Sequence, residues 1–78
     1  MEIPREQVRN KLYELGFTFR SQAKRVDIYR RGSDGRRVTL TQRRLLDETA
    51  VRSVLGQAGC NNDEIESFLR AADCSNHN

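Results

Sequence analysis

Arg25–Arg44, RVDIYRRGSDGRRVTLTQRR, is the stretch whose reading decides how this chain folds. At its centre lies Gly32-Ser33-Asp34-Gly35, a hairpin loop whose Asp-Gly pair accepts positive φ at little cost. Before the loop, a period of two sets Val26, Ile28 and Arg30 on one face of a strand and Arg25, Asp27, Tyr29 and Arg31 on the other. After it, Val38 and Leu40 mark the core face of a second strand, with Arg37, Thr39 and Thr41 outward. The apolar Val26 and Ile28 are expected to join Val38 and Leu40 inside, which leaves Tyr29 outside.

Outward from the hairpin, Phe17 and Phe19 alternate with Thr18 and Arg20 as in a half-buried strand, and Ser21 to Lys24 reads as a turn. Upstream, Ile3-Pro4-Arg5 opens a helix that tolerates Pro4 in its first turn. Its stripe is Val8, Leu12 and Leu15, and Gly16 is placed to end it. Downstream, residues 42–46 read as a connecting loop, and Asp47 caps a helix with the stripe Val51, Val54, Leu55 and Ala58, ended by Gly59. Asn61 and Glu64 form a capping-box pattern for a shorter helix carrying Ile65, Phe68, Leu69 and Ala72. The expected fold is α+β in the order αβββα with a short final helix. A three-stranded antiparallel sheet would be covered by helices on one face and open on the other. Residues 1–72 form one domain in this reading, and 73–78 a flexible polar tail.

Seventy-eight residues bound the chain to one small domain with a thin core. No apolar run is long enough to span a bilayer, and the N-terminus is charged from Glu2 onward, unlike a signal peptide. A cytoplasmic location is therefore expected. There Cys60 and Cys74 stay reduced, and with His77 their spacing fits no closed zinc pattern. No metal or cofactor is expected, and no membrane contact.

Charge is distributed unevenly. Residues 20–44 hold nine basic side chains against two acidic ones, Asp27 and Asp34, for +7. The remainder holds five basic and nine acidic, for −4, and the two parts sum to the net +3. Twelve of the fourteen basic residues are arginine, whose planar fork suits phosphate oxygens. Such segregation attracts a polyanion by counterion release. Arg52 is the only basic residue on the second helix, so the chain lacks a basic recognition helix. That disfavours major-groove reading of DNA and favours RNA.

The order αβββα resembles the double-stranded-RNA-binding fold. More narrowly, several pieces between about Pro4 and Leu69 resemble the HicA family, small mRNA interferase toxins paired with HicB antitoxins. The pieces are VRNKLYELGF (Val8–Phe17), IYR (Ile28–Arg30), DGR (Asp34–Arg36), and TAVRSVLGQAG (Thr49–Gly59) followed by Asp63-Glu64-Ile65 and Phe68-Leu69. In that family a catalytic histidine stands three residues before the tyrosine. Here the element reads Lys24-Arg25-Val26, with Val26 in the histidine's place. The resemblance thus implies an RNA-binding scaffold with no residue to carry the endoribonuclease role. Metal-free RNA cleavage is served best by a side chain titrating near neutrality, and His77, the only histidine, sits in the tail.

Two functional readings follow. In the first, the chain binds RNA, holding phosphates with Lys24, Arg25, Arg30, Arg31, Arg36 and Arg37. Arg20, Arg43 and Arg44 extend the basic surface, and Tyr29 and Thr39 meet bases or sugars. In the second, the same face docks an acidic protein, such as a HicB-like antitoxin.

Overall fold

The inner face of the central sheet is built around an aromatic residue with a charged residue on either side of it. The computed structural model describes the backbone of residues 2–75 and the side chains of residues 2–72. The elements are β1 (Glu2–Pro4), α1 (Arg5–Glu14), β2 (Phe17–Ala23), β3 (Val26–Arg31), β4 (Arg37–Thr41), β5 (Leu45–Asp47), α2 (Glu48–Gln57) and α3 (Asn62–Ser75). Strands β2, β3 and β4 form an antiparallel sheet in that order, and β1 pairs with β5 in a separate two-stranded ladder. The expected α+β order and three-stranded sheet are present.

The phase of β3 differs from the sequence expectation. Tyr29 pairs with Val38 and Asp27 with Leu40, so these four share a face. Val38 and Leu40 are fully buried and Tyr29 is 2% exposed. Val26 and Ile28, expected inside, lie opposite Thr41 and Thr39 on the other face, only partly buried. A period of two makes this an all-or-nothing choice, since moving Tyr29 in moves Asp27 and Arg31 in with it. Both charges are accommodated because they lie at the ends of the strand. Asp27 is ion-paired with Arg5 of α1 and accepts from Gln42 at 3.1 Å. Among the described residues it makes no ion pair across the hairpin. Arg31 lays its guanidinium 4.8 Å from the Phe17 ring centroid and donates to the Leu15 carbonyl at 3.2 Å. The large apolar ring then takes the dry centre, where burial is worth most.

Three further differences have local causes. β2 extends to Ala23, through the residues read as a turn, and the reversal is the two-residue Lys24-Arg25 turn. A register shift between Phe19 and Ser21 makes Arg20 the extra residue of a bulge. Pro4 precedes α1 as its N-cap, at ψ 135, instead of lying in the first turn. The ladder of β1 with β5 was not expected, because three-residue strands carry too little periodicity to read. It buries Ile3 and Leu46 and holds the start of α1 against the 42–44 loop, with Arg5 N–H donating to the Arg44 carbonyl at 2.8 Å.

Helices α1 and α2 cover the face that holds Phe17, Tyr29, Val38 and Leu40, through Val8, Leu12, Val51, Val54 and Leu55. Asp47 caps α2 by accepting from the Ala50 N–H at 2.8 Å. Asn61 and Glu64 form the reciprocal capping box at 2.8 and 3.1 Å. Ile65, Leu69 and Ala72 seat α3 on the core. Arg52 of α2 ties the two helices by reaching Glu66 at 2.5 Å and Glu48 at 3.2 Å, and its hydrogen bond holds the Glu66 carboxyl below the usual range. α3 continues through Asp73, Cys74 and Ser75, where the sequence reading began a tail; residues 76–78, His77 included, lie outside the described residues. No helix among the described residues is long and apolar enough to cross a membrane.

Candidate nucleic-acid interface

With α1 and α2 on one side, the opposite face of the sheet carries a three-by-three grid defined by strand register. One row is Thr18, Arg30 and Arg37; the next is Ser21, Ile28 and Thr39; the last is Ala23, Val26 and Thr41. Rows are about 6.8 Å apart along each strand. Four hydroxyl side chains and two arginines face the same way, and no carboxylate is among the nine residues.

Arg30 and Arg37 are direct cross-strand partners, an arrangement that normally costs stability through like-charge repulsion. Neither has an ion pair among the described residues, and the Arg30 Nε–H is buried without an acceptor. Thr18 donates to the Arg30 carbonyl at 3.5 Å, and Thr39 donates its hydroxyl and its N–H to Gln57 Oε1 at 3.4 and 3.1 Å.

Beyond the Val26 row the chain reverses at Lys24-Arg25. Arg25 adopts φ 63, a left-handed conformation that side chains with a Cβ rarely take. The Gln42 N–H donates to its carbonyl at 3.1 Å, which fixes the turn against the 42–44 loop. Arg25 and Arg43 flank an open groove of about 570 Å³ floored by Val26, Thr41 and Leu46. This is the position at which the resemblance places the histidine of the HicA family. The charged groups around Val26 are two guanidiniums and Asp47, which is engaged as the α2 cap. Such a groove can hold an anion, and no histidine lines it.

The other predicted residues separate from this face. Arg31 and Arg36 serve the hairpin tip. Arg31 grips Asp34 through two hydrogen bonds at 3.1 and 2.7 Å, and Arg36 donates to the Gln57 carbonyl at 3.1 Å. The two guanidiniums thereby cap the C-termini of α1 and α2, where the helix dipole favours a cation. Gly59, at φ 92, lets Arg36 lie close; a Cβ there would meet its Cζ at 3.4 Å. The Arg31 side chain, and then the Arg36 N–H, hold the Asp34 carboxyl far below the usual carboxylate range. Tyr29, expected to stack on bases from the outer face, is instead the core residue under Tyr13 and Phe19, with ring centroids 6.0 and 5.9 Å away. Burial, then proximity to Tyr13, raises its phenol pKa. Arg44 lies on the helix side, in a groove with Arg5, Gln22 and Asp27. Arg20 is exposed at the bulge on the β2 edge.

Of the nine basic residues from Arg20 to Arg44, only Arg31 and Arg36 have a carboxylate partner, which leaves seven without one among the described residues. Thr18 and Thr41 read as outward-facing in the sequence but not as site residues, and Ser21 was missed because it read as part of a turn where β2 in fact continues to Ala23. Cys60 is a free, partly buried thiol whose pKa is raised first by burial and then by Glu64, while the Cys74 side chain lies outside the described residues. Among the described residues no three acidic, cysteine or histidine groups converge as a metal site would require. Compared with known proteins, the chain matches no family model and no curated sequence.

Proposed function

We propose that this protein binds RNA through the open face of its sheet, on a scaffold like that of the HicA toxins, without the histidine used for cleavage. The observation that carries the reading is the Arg30–Arg37 pair. Two facing cations have no ion pair among the described residues, on a surface that no helix covers. A phosphate between them would relieve the repulsion. Arg25 and Arg43 form a second cationic pole at the far end of the grid. The threonine and serine hydroxyls between the poles suit the 2′-hydroxyls of RNA, and the absence of a basic recognition helix argues against duplex DNA.

The test is a fluorescence-anisotropy titration of a labelled RNA strand at 50 and 200 mM salt. If Arg25, Arg30, Arg37 and Arg43 each neutralise one phosphate, affinity falls about fifty-fold over that interval. Replacing Arg30 and Arg37 together by glutamine should remove most of the binding and flatten the salt dependence. Incubation with RNA, with and without chelator, is expected to leave the strand intact. Docking of an acidic protein on the same face is the competing reading. It predicts no RNA binding even at low salt, and that result would overturn ours.

A further inference from the structure

The two edges of the β2-β3-β4 sheet are treated differently. On β4 the outer backbone is closed by α2, whose Gln57 side chain accepts from the Thr39 N–H at 3.1 Å. On β2, residues 18–23 are exposed, and their outer backbone groups have no hydrogen-bond partner among the described residues. Beside that edge stand two of the three large apolar side chains left exposed, Phe19 at 52% and Tyr13 at 48%. Both pack edge-on against Tyr29, so the buried ring joins the two exposed rings into one aromatic patch. Phe17 to Arg25 carries Arg20, Lys24 and Arg25 and no carboxylate, and none of the three is ion-paired among the described residues.

From this combination we infer that the β2 edge is a docking site for an extended acidic segment of another protein. The segment adds a strand along β2, lays one apolar side chain against the Tyr13 and Phe19 rings, and sets carboxylates against Arg20 and Lys24. Charge selects this occupant over a second copy of the chain. Antiparallel pairing of β2 with itself about its middle residue places Arg20 opposite Arg20 and brings six uncompensated cations together. The bulge at Arg20 points the same way: it interrupts the edge, as bulges that guard against indiscriminate pairing do. Backbone pairing alone is then too short to hold a partner, and the aromatic patch and the charges must supply specificity. The site is distinct from the open-face grid, which lies on the other side of the sheet from Phe19.

The experiment uses the full chain, isotope-labelled, titrated with a nine-residue end-blocked peptide of alternating valine and glutamate and with its valine–lysine counterpart. The glutamate peptide is expected to shift the amide signals of residues 18–23 and slow their hydrogen exchange, leaving those of Arg37 and Thr39 in place. Arg20→Glu should weaken it more than about tenfold and turn the preference toward the lysine peptide. Phe19→Ser, at a half-exposed position, should weaken both peptides and, through the lost contact with Tyr29, lower the melting temperature without unfolding the protein at the temperature of the titration. A saturating RNA strand should leave the peptide shifts intact. Shifts confined to the open face, loss of the peptide to RNA competition, or an Arg20→Glu protein that keeps its preference would each overturn the inference. So would the absence of binding at millimolar peptide.

Discussion

Arg37 and Arg25 are the residues at which stability and the proposed binding pull in opposite directions. Arg37 faces Arg30 across the strand pair, and neither has an ion pair among the described residues. Arg37→Glu converts a like-charge pair into an opposite one and is expected to raise stability by about 0.5 kcal/mol, within the range of cross-strand pairs. The same change should abolish RNA binding. A urea-denaturation curve and a binding titration on one preparation check both, and a destabilised variant would mean that the arginine is held for packing. At Arg25 the left-handed backbone costs on the order of 1 kcal/mol for a residue with a Cβ. Arg25→Gly relieves that strain but gives the unfolded chain more freedom, so the urea midpoint should stay level or rise slightly. RNA affinity should fall with the lost cation. A clear loss of stability would show that the Arg25 side chain, and not its charge in the groove, is what the turn requires.

The element that decides the architecture is the β3-β4 hairpin. Its tip is tied to the ends of two helices by Arg31 and Arg36, with Asp34 as the acceptor between them. Because the folded Asp34 carboxyl titrates well below its unfolded value, it contributes stability at neutral pH. That contribution is complete above the unfolded value, near pH 4, and is lost as the pH falls from there toward the folded value. Asp34→Asn should therefore be less stable than the parent at pH 7, with the gap narrowing below about pH 4. Unfolding midpoints of both proteins between pH 7 and pH 2.5 measure it. A gap that does not change with pH would assign the effect to the asparagine's geometry instead. The same wiring explains why the arginine run of this hairpin is not one surface: two of its members are helix caps and the others face solvent.

At the scale of the molecule, charge segregation along the chain becomes segregation in space only in part. Arg30 and Arg37 point from the open face, Arg25 and Arg43 flank the groove at its end, Arg20 stands on the β2 edge, and Arg44 turns to the helix side. Carboxylates gather on α3, as Asp63, Glu64 and Glu66. A ligand that binds only the folded state raises stability by about 2.7 kcal/mol at a hundred times its dissociation constant. For a domain of this length that corresponds to a rise in melting temperature of roughly 10–20 °C. An RNA strand at that excess should produce such a rise in the parent protein and none in Arg37→Glu. A rise of equal size in both would place the RNA elsewhere on the surface.

Local chemistry was enough to read much of this protein from its residues. Gly16 and Gly59 end helices at positive φ, Asp47 and the Asn61–Glu64 pair begin them, and Gly35 turns the hairpin, because caps and turns depend on a few neighbouring atoms. The sheet and its helices follow from those punctuation marks and from the apolar spacing. What the chain could not announce was the phase of β3. Alternation gives two faces but no label for which is inside, and Val26 and Ile28 argued for the wrong one. The choice was made mostly by groups distant in sequence: Arg5 neutralises Asp27 and Gln42 donates to it, and the Leu15 carbonyl, with the nearby Asp34, engages Arg31, so that Tyr29 can be buried between them. Which arginines are free to meet a ligand follows from those partners, because a guanidinium already capping a helix or holding a carboxylate is fixed in place and has fewer N–H groups left to offer.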